Sequence, residues 1–404
     1  MIRFLLRLAP LLLASCVAVP NSPVVDAPVA EVGVAFDRAG EVGSYAEGLA
    51  DPASRRAVTP DDPVRVASVS KLGVAIGVMR LVEQGKLELD ADVSRWLGWR
   101  VRNPAFPDVP ITLRMLLSHT GSVRDHDDNY AIPLGATLQR VLADPAAWDP
   151  QHAPGAGYFA YSNLNFPIVG AIVERATGER FDIWMRREVL DPMQLDACYN
   201  WPTCSDAAVA RAVELDGPDG QPVKDDLNGR RPACPVQAAT DGSCDLARWR
   251  AGDNGALFAP QGGLRISARG LARIGRMLLG GGVLDGARIL SAQSVETLLA
   301  PQWRFSGDNG ATEEGFFCSY GLASQQFPNR APGCRDDVLQ DGHAWVGHAG
   351  EAYGLRSGLW IDRARGVGVA YFVTGLAAQP APGRTAFVAA EDAAFHRTAA
   401  LLAR

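Results

Sequence analysis

The chain has 404 residues, is 47% hydrophobic and 21% charged, and carries a formal net charge of −6. This is the composition of a globular protein. The acidic balance, with no Lys/Arg-rich run, excludes a nucleic-acid surface, and the length allows either two or three domains or one large domain with insertions.

The first residues read as an address rather than as fold. Arg3 and Arg7 flank a short apolar run over 8–14 that is interrupted by Pro10. A membrane span takes roughly 20 apolar residues, so this run is too short and reads as an export signal over 1–15. Leu13-Ala14-Ser15-Cys16 resembles the lipobox of bacterial lipoproteins. That likeness implies lipidation of Cys16, and Val17 after it implies the periplasmic face of the outer membrane. The alternative is an ordinary signal peptide whose cysteine has no role. Residues 16–29, rich in proline and valine, read as a tether.

Residues 30–36 and 41–46 alternate as two strands of a hairpin, joined through Asp37-Arg38-Ala39-Gly40. Val64-Arg65-Val66 reads as strand and runs into Ala67-Ser68-Val69-Ser70-Lys71, after which Leu72, Ile76, Met79 and Val82 recur at helical spacing up to Gly85. Ser68 and Lys71 thus share one face at the start of a helix. There the free amides and positive dipole end favour an activated hydroxyl, and a lysine amine can reach it. By itself Ser-x-x-Lys is weak, since a serine there is also an ordinary helix cap.

Further along, Thr112 caps a short helix with Leu113, Leu116 and Leu117 on one face. Arg124 to Asp128 form a charged stretch read as a solvated loop, a metal site at His126 being the weaker alternative. A turn over 154–163 carries Tyr161-Ser162-Asn163 and leads into a helix that Gly178 ends. Another helix begins at Phe181 and stops at Asp191-Pro192. Periodicity is lost over 198–260, where Gly, Pro, Asp and four cysteines dominate, and we read an irregular insertion. A strand over 262–266 meets an N-cap at Ser267 and a helix up to Gly280, and Ser291 caps one more. Strands are expected over 317–322, 345–350, 354–361 and 366–374, with a closing helix over 384–402.

Six cysteines remain beyond Cys16, an even number in an exported chain. They fall in neighbouring pairs: Cys198 with Cys204, Cys234 with Cys244, Cys318 with Cys334. The expectation is three local disulfides in an oxidising compartment, one of the 15 connectivities that six cysteines allow. Strands at both ends and helices between them predict an α+β fold: an antiparallel sheet from N- and C-terminal strands, the terminal helix on one face and a mostly helical region holding Ser68 on the other. The site would lie in the cleft between.

Three stretches occur in order: Ser68-Val69-Ser70-Lys71, Tyr161-Ser162-Asn163 and His348-Ala349-Gly350. Together they resemble the serine β-lactamase and penicillin-binding-protein family, in its class C β-lactamase, DD-peptidase and esterase branch. Leu116-Leu117-Ser118-His119-Thr120 and Gly262-Gly263-Leu264 resemble that branch as well. The likeness covers about residue 30 to the end. It implies a serine hydrolase working through an acyl-enzyme on esters or D-amino-acid amides and peptides, peptidoglycan stems included, with no cofactor and no metal. Ser68 would attack. Lys71 and Tyr161 would share the proton, with the ammonium favouring phenolate character at Tyr161. Asn163 would bind Lys71 and the substrate amide, and the backbone amides of Ser68 and Glu351 would hold the oxyanion. His348 would line the cleft opposite Ser68.

The third motif departs from the Lys-Thr-Gly of β-lactamases. Ala349 lacks the hydroxyl that would bind a substrate carboxylate. Arg356 could supply a bidentate anchor instead, although it reads rather as a solvated strand arginine. The 198–260 insertion would border the cleft. Alternative readings are a true class C-type β-lactamase, a penicillin-binding DD-carboxypeptidase, and an idle binding protein on the same fold. No Gly-x-Ser-x-Gly elbow, phosphate loop or H-E-x-x-H occurs.

Overall fold

A computed structural model describes residues 28–216, 223 and 229–403. The expected export signal and Cys16 lie outside the described residues, as does the tether except for its last two positions. The strands in chain order are β1 (Ala30–Asp37), β2 (Glu41–Asp51), β3 (Arg56–Ala57), β4 (Val64–Arg65), β5 (Cys198–Tyr199), β6 (Leu264–Ile266), β7 (Val283–Leu284), β8 (Ala287–Arg288), β9 (Trp303–Arg304), β10 (Ser319–Tyr320), β11 (Gln325–Phe327), β12 (Trp345–Ala352), β13 (Leu355–Asp362) and β14 (Val367–Thr374). The helices are α1 (Ser70–Glu83), α2 (Ser94–Leu97), α3 (Leu113–Leu117), α4 (Leu138–Leu142), α5 (Asn165–Thr177), α6 (Phe181–Met185), α7 (Asp206–Arg211), α8 (Ala268–Leu279), α9 (Ala292–Leu299) and α10 (Ala389–Ala399).

Nine strands form one antiparallel sheet in the order β3-β2-β1-β14-β13-β12-β11-β10-β9. The N-terminal hairpin therefore joins the C-terminal strands directly, Val32 facing Phe372 and Val34 facing Ala370. Asp37 closes that hairpin by accepting the N–H groups of Ala39 and Gly40. β1 is apolar on both faces because both are covered: Val32, Val34, Ala35 and Phe36 are all fully buried. On one face lies α8, which turns Leu271, Ile274, Met277 and Leu278 inward. Gly275 lets it approach, since a Cβ there would stand 2.3 Å from the Phe36 ring. On the other face Phe395 of α10 packs against Trp345, Trp360 and Tyr371.

The helical region sits beyond α8 and is tied in by a small sheet, β4-β6-β5. Three expectations need correction. The 198–260 segment is not wholly irregular: it opens with β5, which pairs with β6, and then forms α7, capped by Ser205. The 317–322 strand is only β10, and β9 and β11, which flank it, were not foreseen; paired segments this short carry too few alternations to show in a sequence. The closing helix starts at Ala389 rather than 384, because Pro382 instead bridges to Val388. The three disulfides join the sequence neighbours: Cys198–Cys204, Cys234–Cys244 and Cys318–Cys334. Among the described residues no helix is long and apolar enough to cross a membrane.

Candidate active site

Ser68 lies in a single 3-10 turn, Ala67–Val69, between β4 and α1. It does not cap α1, so the ordinary role of such a serine is absent. The turn is held from three sides. Ser70 Oγ donates to the Ala67 carbonyl at 2.6 Å and accepts from Leu264 N–H at 3.0 Å. Ser357 Oγ of β13 donates to the Val66 carbonyl. Ala67 adopts φ +45°, a left-handed conformation that a residue with a Cβ rarely holds. This bend leaves Ser68 half-exposed over a cleft of about 560 Å³.

Lys71 is fully buried beneath it. Its Nζ reaches Ser68 Oγ at 2.9 Å, Asn163 Oδ1 at 2.8 Å and the Gln261 carbonyl at 2.7 Å. The last two partners can only accept. A neutral amine would give its two hydrogens to them and turn its lone pair toward Ser68 Oγ. Burial favours that neutral form and brings the Lys71 pKa down to about 7, against the smaller pull of Asp125 and Glu313.

Tyr161 donates to Ser68 Oγ at 2.9 Å. The expectation of phenolate character fails in this environment. Burial raises the phenol's pKa, and Glu313, Asp125 and Glu351 raise it further. Lys71 Nζ lies 5.0 Å over the ring rather than on the hydroxyl. Tyr161 therefore rests as a phenol, stacked between His119 at 4.4 Å and Phe317 at 4.7 Å. Asn163 gives its carbonyl end to Lys71 and its amide end to Asp125, at 3.0 Å. The donors and acceptors at the two ends fix which way the amide points.

The opposite wall is β12. A Cβ on Gly350 would fall 2.3 Å from the Val66 carbonyl and 3.3 Å from Ser68 N, so only glycine lets the strand lie this close to the nucleophile turn. Ala349, Gly350 and Glu351 all line the cleft. So does His348, but both of its nitrogens are engaged: Tyr320 OH at 2.7 Å on Nε2, and the Ala349 carbonyl at 2.5 Å on Nδ1. Burial, followed by Lys71, pushes its pKa down to about 3, so it stays neutral. Arg356 is no solvated arginine. Its side chain is 11% exposed, lines the cleft and pairs with Glu351 at 2.8 Å.

Sequence reasoning missed Asp125, set aside with a charged loop. It accepts from Ser162 Oγ, from the backbone of Asn163 and Leu164, and from Asn163 Nδ2, so it holds the whole second motif. It also missed the part played by His119, whose Nδ1 accepts from Ser162 N–H and Asn165 Nδ2 while its ring backs Tyr161. Glu313 was missed too; its stretch carries no motif. Among the described residues the insertion does not line this cleft. Asn200, Val236 and Leu257 instead border a hollow of about 190 Å³ that is also lined by Gln261, whose carbonyl accepts from Lys71. Nor do the described residues contain a cluster suited to a metal ion.

Comparison with known proteins gives a family and a fold. The model of the family described as Beta-lactamase matches residues 14–393. Esterase EstB of Burkholderia gladioli is 36% identical over 171 residues, 38% of this chain and 42% of that protein. Penicillin-binding protein 4 of Amycolatopsis lactamdurans is 29% identical over 272 residues, 66% of this chain and 64% of that protein. The matched segments thus span less than two thirds of either relative. Among solved structures, the D-amino acid amidase of Ochrobactrum anthropi SV3 superposes with TM-score 0.64 at 19% identity, covering 93% of this chain and 94% of that one. The octameric penicillin-binding protein homologue of Pyrococcus abyssi gives 0.66 at 19%, covering 93% and 74%.

Proposed function

Since the chain belongs to the beta-lactamase family, we propose that it is a serine hydrolase that opens esters or amides through an acyl-enzyme on Ser68. One observation carries this reading: Lys71 Nζ sits 2.9 Å from Ser68 Oγ with its other two contacts on groups that can only accept. Nothing structural requires a buried lysine there. Neutral Lys71 takes the Ser68 proton as Oγ bonds to the acyl carbon. The carbonyl oxygen becomes an oxyanion between the backbone amides of Ser68 and Glu351. Tyr161, already donating to Oγ, passes its proton to the leaving nitrogen or oxygen as that bond breaks, and recovers one from Lys71. A water then attacks the acyl-enzyme, and the same groups work in reverse. Asn163 holds Lys71 in place, and its second amide hydrogen is free for the substrate.

The name of the Burkholderia relative supports ester substrates, and D-amino-acid amides come from the sequence resemblance. The Amycolatopsis relative keeps a second reading open, a peptidase acylated by penicillin. Against it stand the missing hydroxyl at Ala349 and the occupation of Arg356 by Glu351. Intact-mass labelling with a fluorophosphonate and a fluorescent penicillin, with Ser68→Ala as control, tests the proposal. Adduct from the fluorophosphonate alone, on wild type alone, supports it. Stable penicillin adduct favours the peptidase, and rapid penicillin turnover a β-lactamase. Labelling by neither favours an idle binding protein.

We also propose that Cys16 carries lipid and anchors the protein at the periplasmic face of the outer membrane, on the strength of Leu13-Ala14-Ser15-Cys16. Cys16→Ala should then release the protein from the membrane fraction and abolish fatty-acid labelling; unchanged fractionation would defeat the idea.

A further inference from the structure

The cleft around Ser68 is lined by four acidic side chains, Asp125, Glu313, Glu351 and Glu391, the last with its pKa pushed up to about 8 by burial. Arg356 is the arginine among its lining residues, and Lys71, beneath the floor, is pushed toward its neutral form by burial. Arg356 is not available to a substrate carboxylate, because its guanidinium stands 2.8 Å from Glu351 and 3.9 Å from Glu391. Asp125 is taken up by the turn that carries Asn163. Glu313 is different. Among the described residues its carboxyl group has no hydrogen-bond or ion-pair partner, yet its side chain faces the nucleophile's cleft. Two successive left-handed residues, Glu313 at φ +47° and Glu314 at +58°, place it there, just before the Phe316 and Phe317 wall. Solvent reaches Glu313, but the protein crowded around it, then Glu351 and Asp125, push its pKa up to about 7. An arriving cation would relieve that repulsion, and an arriving anion would add to it.

We propose that Glu313 makes this cleft select esters or amides that carry an ammonium group near the scissile bond, and reject those that carry a carboxylate. The inference rests on the hydrolase reading of the same site. It is a statement about substrate charge, whichever side of the scissile bond bears it. Electrostatic focusing in a cleft raises local concentration and rate by about tenfold or more at low salt.

Two substrate series test it. D-alanine p-nitroanilide, its N-acetyl form and its N-succinyl form vary the charge on the acyl side with one leaving group. Acetylthiocholine, S-ethyl thioacetate and S-acetylthioglycolate vary it on the leaving side, all read by thiol release. In at least one series kcat/KM should fall from cation to neutral to anion, by about tenfold or more overall at low ionic strength. Glu313→Gln should narrow that ratio and Glu313→Lys should invert it, with fluorophosphonate labelling of both variants showing that the site is formed. Equal rates across charge, or an ordering unchanged in Glu313→Gln, would overturn the inference while leaving the hydrolase reading intact. No turnover of any member together with no labelling of Ser68 would sink the hydrolase reading, and this one with it.

Discussion

Asp125 and Asn163 are joined at two points: one carboxylate oxygen of Asp125, Oδ2, accepts from both the backbone N–H and the side-chain Nδ2 of Asn163, at 2.8 and 3.0 Å. The other oxygen takes Ser162 Oγ and Leu164 N–H. Asn163 in turn positions Lys71. Asp125 is thus a positioning residue three contacts from the nucleophile, through Asn163 and Lys71. Asp125→Ala should slow acylation about 100-fold, as small misplacements of reacting groups do. Asp125→Asn should be nearly as slow, since an amide cannot accept at both ends. The rate of fluorophosphonate labelling, followed beside circular dichroism to show the fold intact, checks this.

The proton acceptor should be visible in the pH profile. The amine of Lys71 must be neutral to work, and its pKa is brought down to about 7. Acylation should therefore rise with pH through about 7 to a plateau and fall away below it. Glu313 titrates in the same range, so the profile of Glu313→Gln should keep the rising limb if Lys71 is its source. His119 and His348 are both pushed low by burial and stay neutral throughout. Lys71→Arg, whose side chain does not deprotonate, should lose acylation by about 10²–10⁴-fold. A flat profile in wild type would contradict the assignment.

Tyr161→Phe keeps the ring stacked between His119 and Phe317 and removes only the hydroxyl on Ser68. Help to the leaving group matters most where that group leaves badly. Hydrolysis of an unactivated amide should fall by about 10²–10⁴-fold. Hydrolysis of a p-nitrophenyl ester, whose phenolate leaves unaided, should fall much less. Equal losses on both would mean that Tyr161 acts before the leaving step.

Gly350→Ala places a methyl group against the Val66 carbonyl and forces β12 away from the nucleophile turn. The expected loss is about 10²–10³ in kcat, the size seen when an oxyanion donor is removed. KM should change less than kcat, because the contact matters most once the carbonyl carbon is tetrahedral. Steady-state kinetics on a p-nitrophenyl ester separates the two.

Much of this protein was legible in its residues. Alternation named β1, β12, β13 and β14, and helical spacing named α1, α5 and α8, because each is long enough for its period to repeat against a buried face. Thr112 and Ser291 marked helix starts as caps, and both side chains accept the expected N–H. The cysteine pairs joined as neighbours. Ser68, Lys71, Tyr161 and Asn163 stood out because their residue types and order carry chemistry, and the fold links all four in one hydrogen-bonded chain, Tyr161 to Ser68 to Lys71 to Asn163.

The sequence by itself thus carried the long elements, their pairing at the two chain ends and a candidate nucleophile with its amine. Only the tertiary structure decided the environment of those groups. Whether Lys71 is neutral, whether Tyr161 is a phenol and whether Asp125 is solvated or part of the scaffold depend on residues tens to hundreds of positions away in the chain, while Arg356 is occupied by Glu351 across the β12–β13 turn. Protonation and pairing follow from burial and from the charges brought close by folding, and a local pattern of residues contains neither.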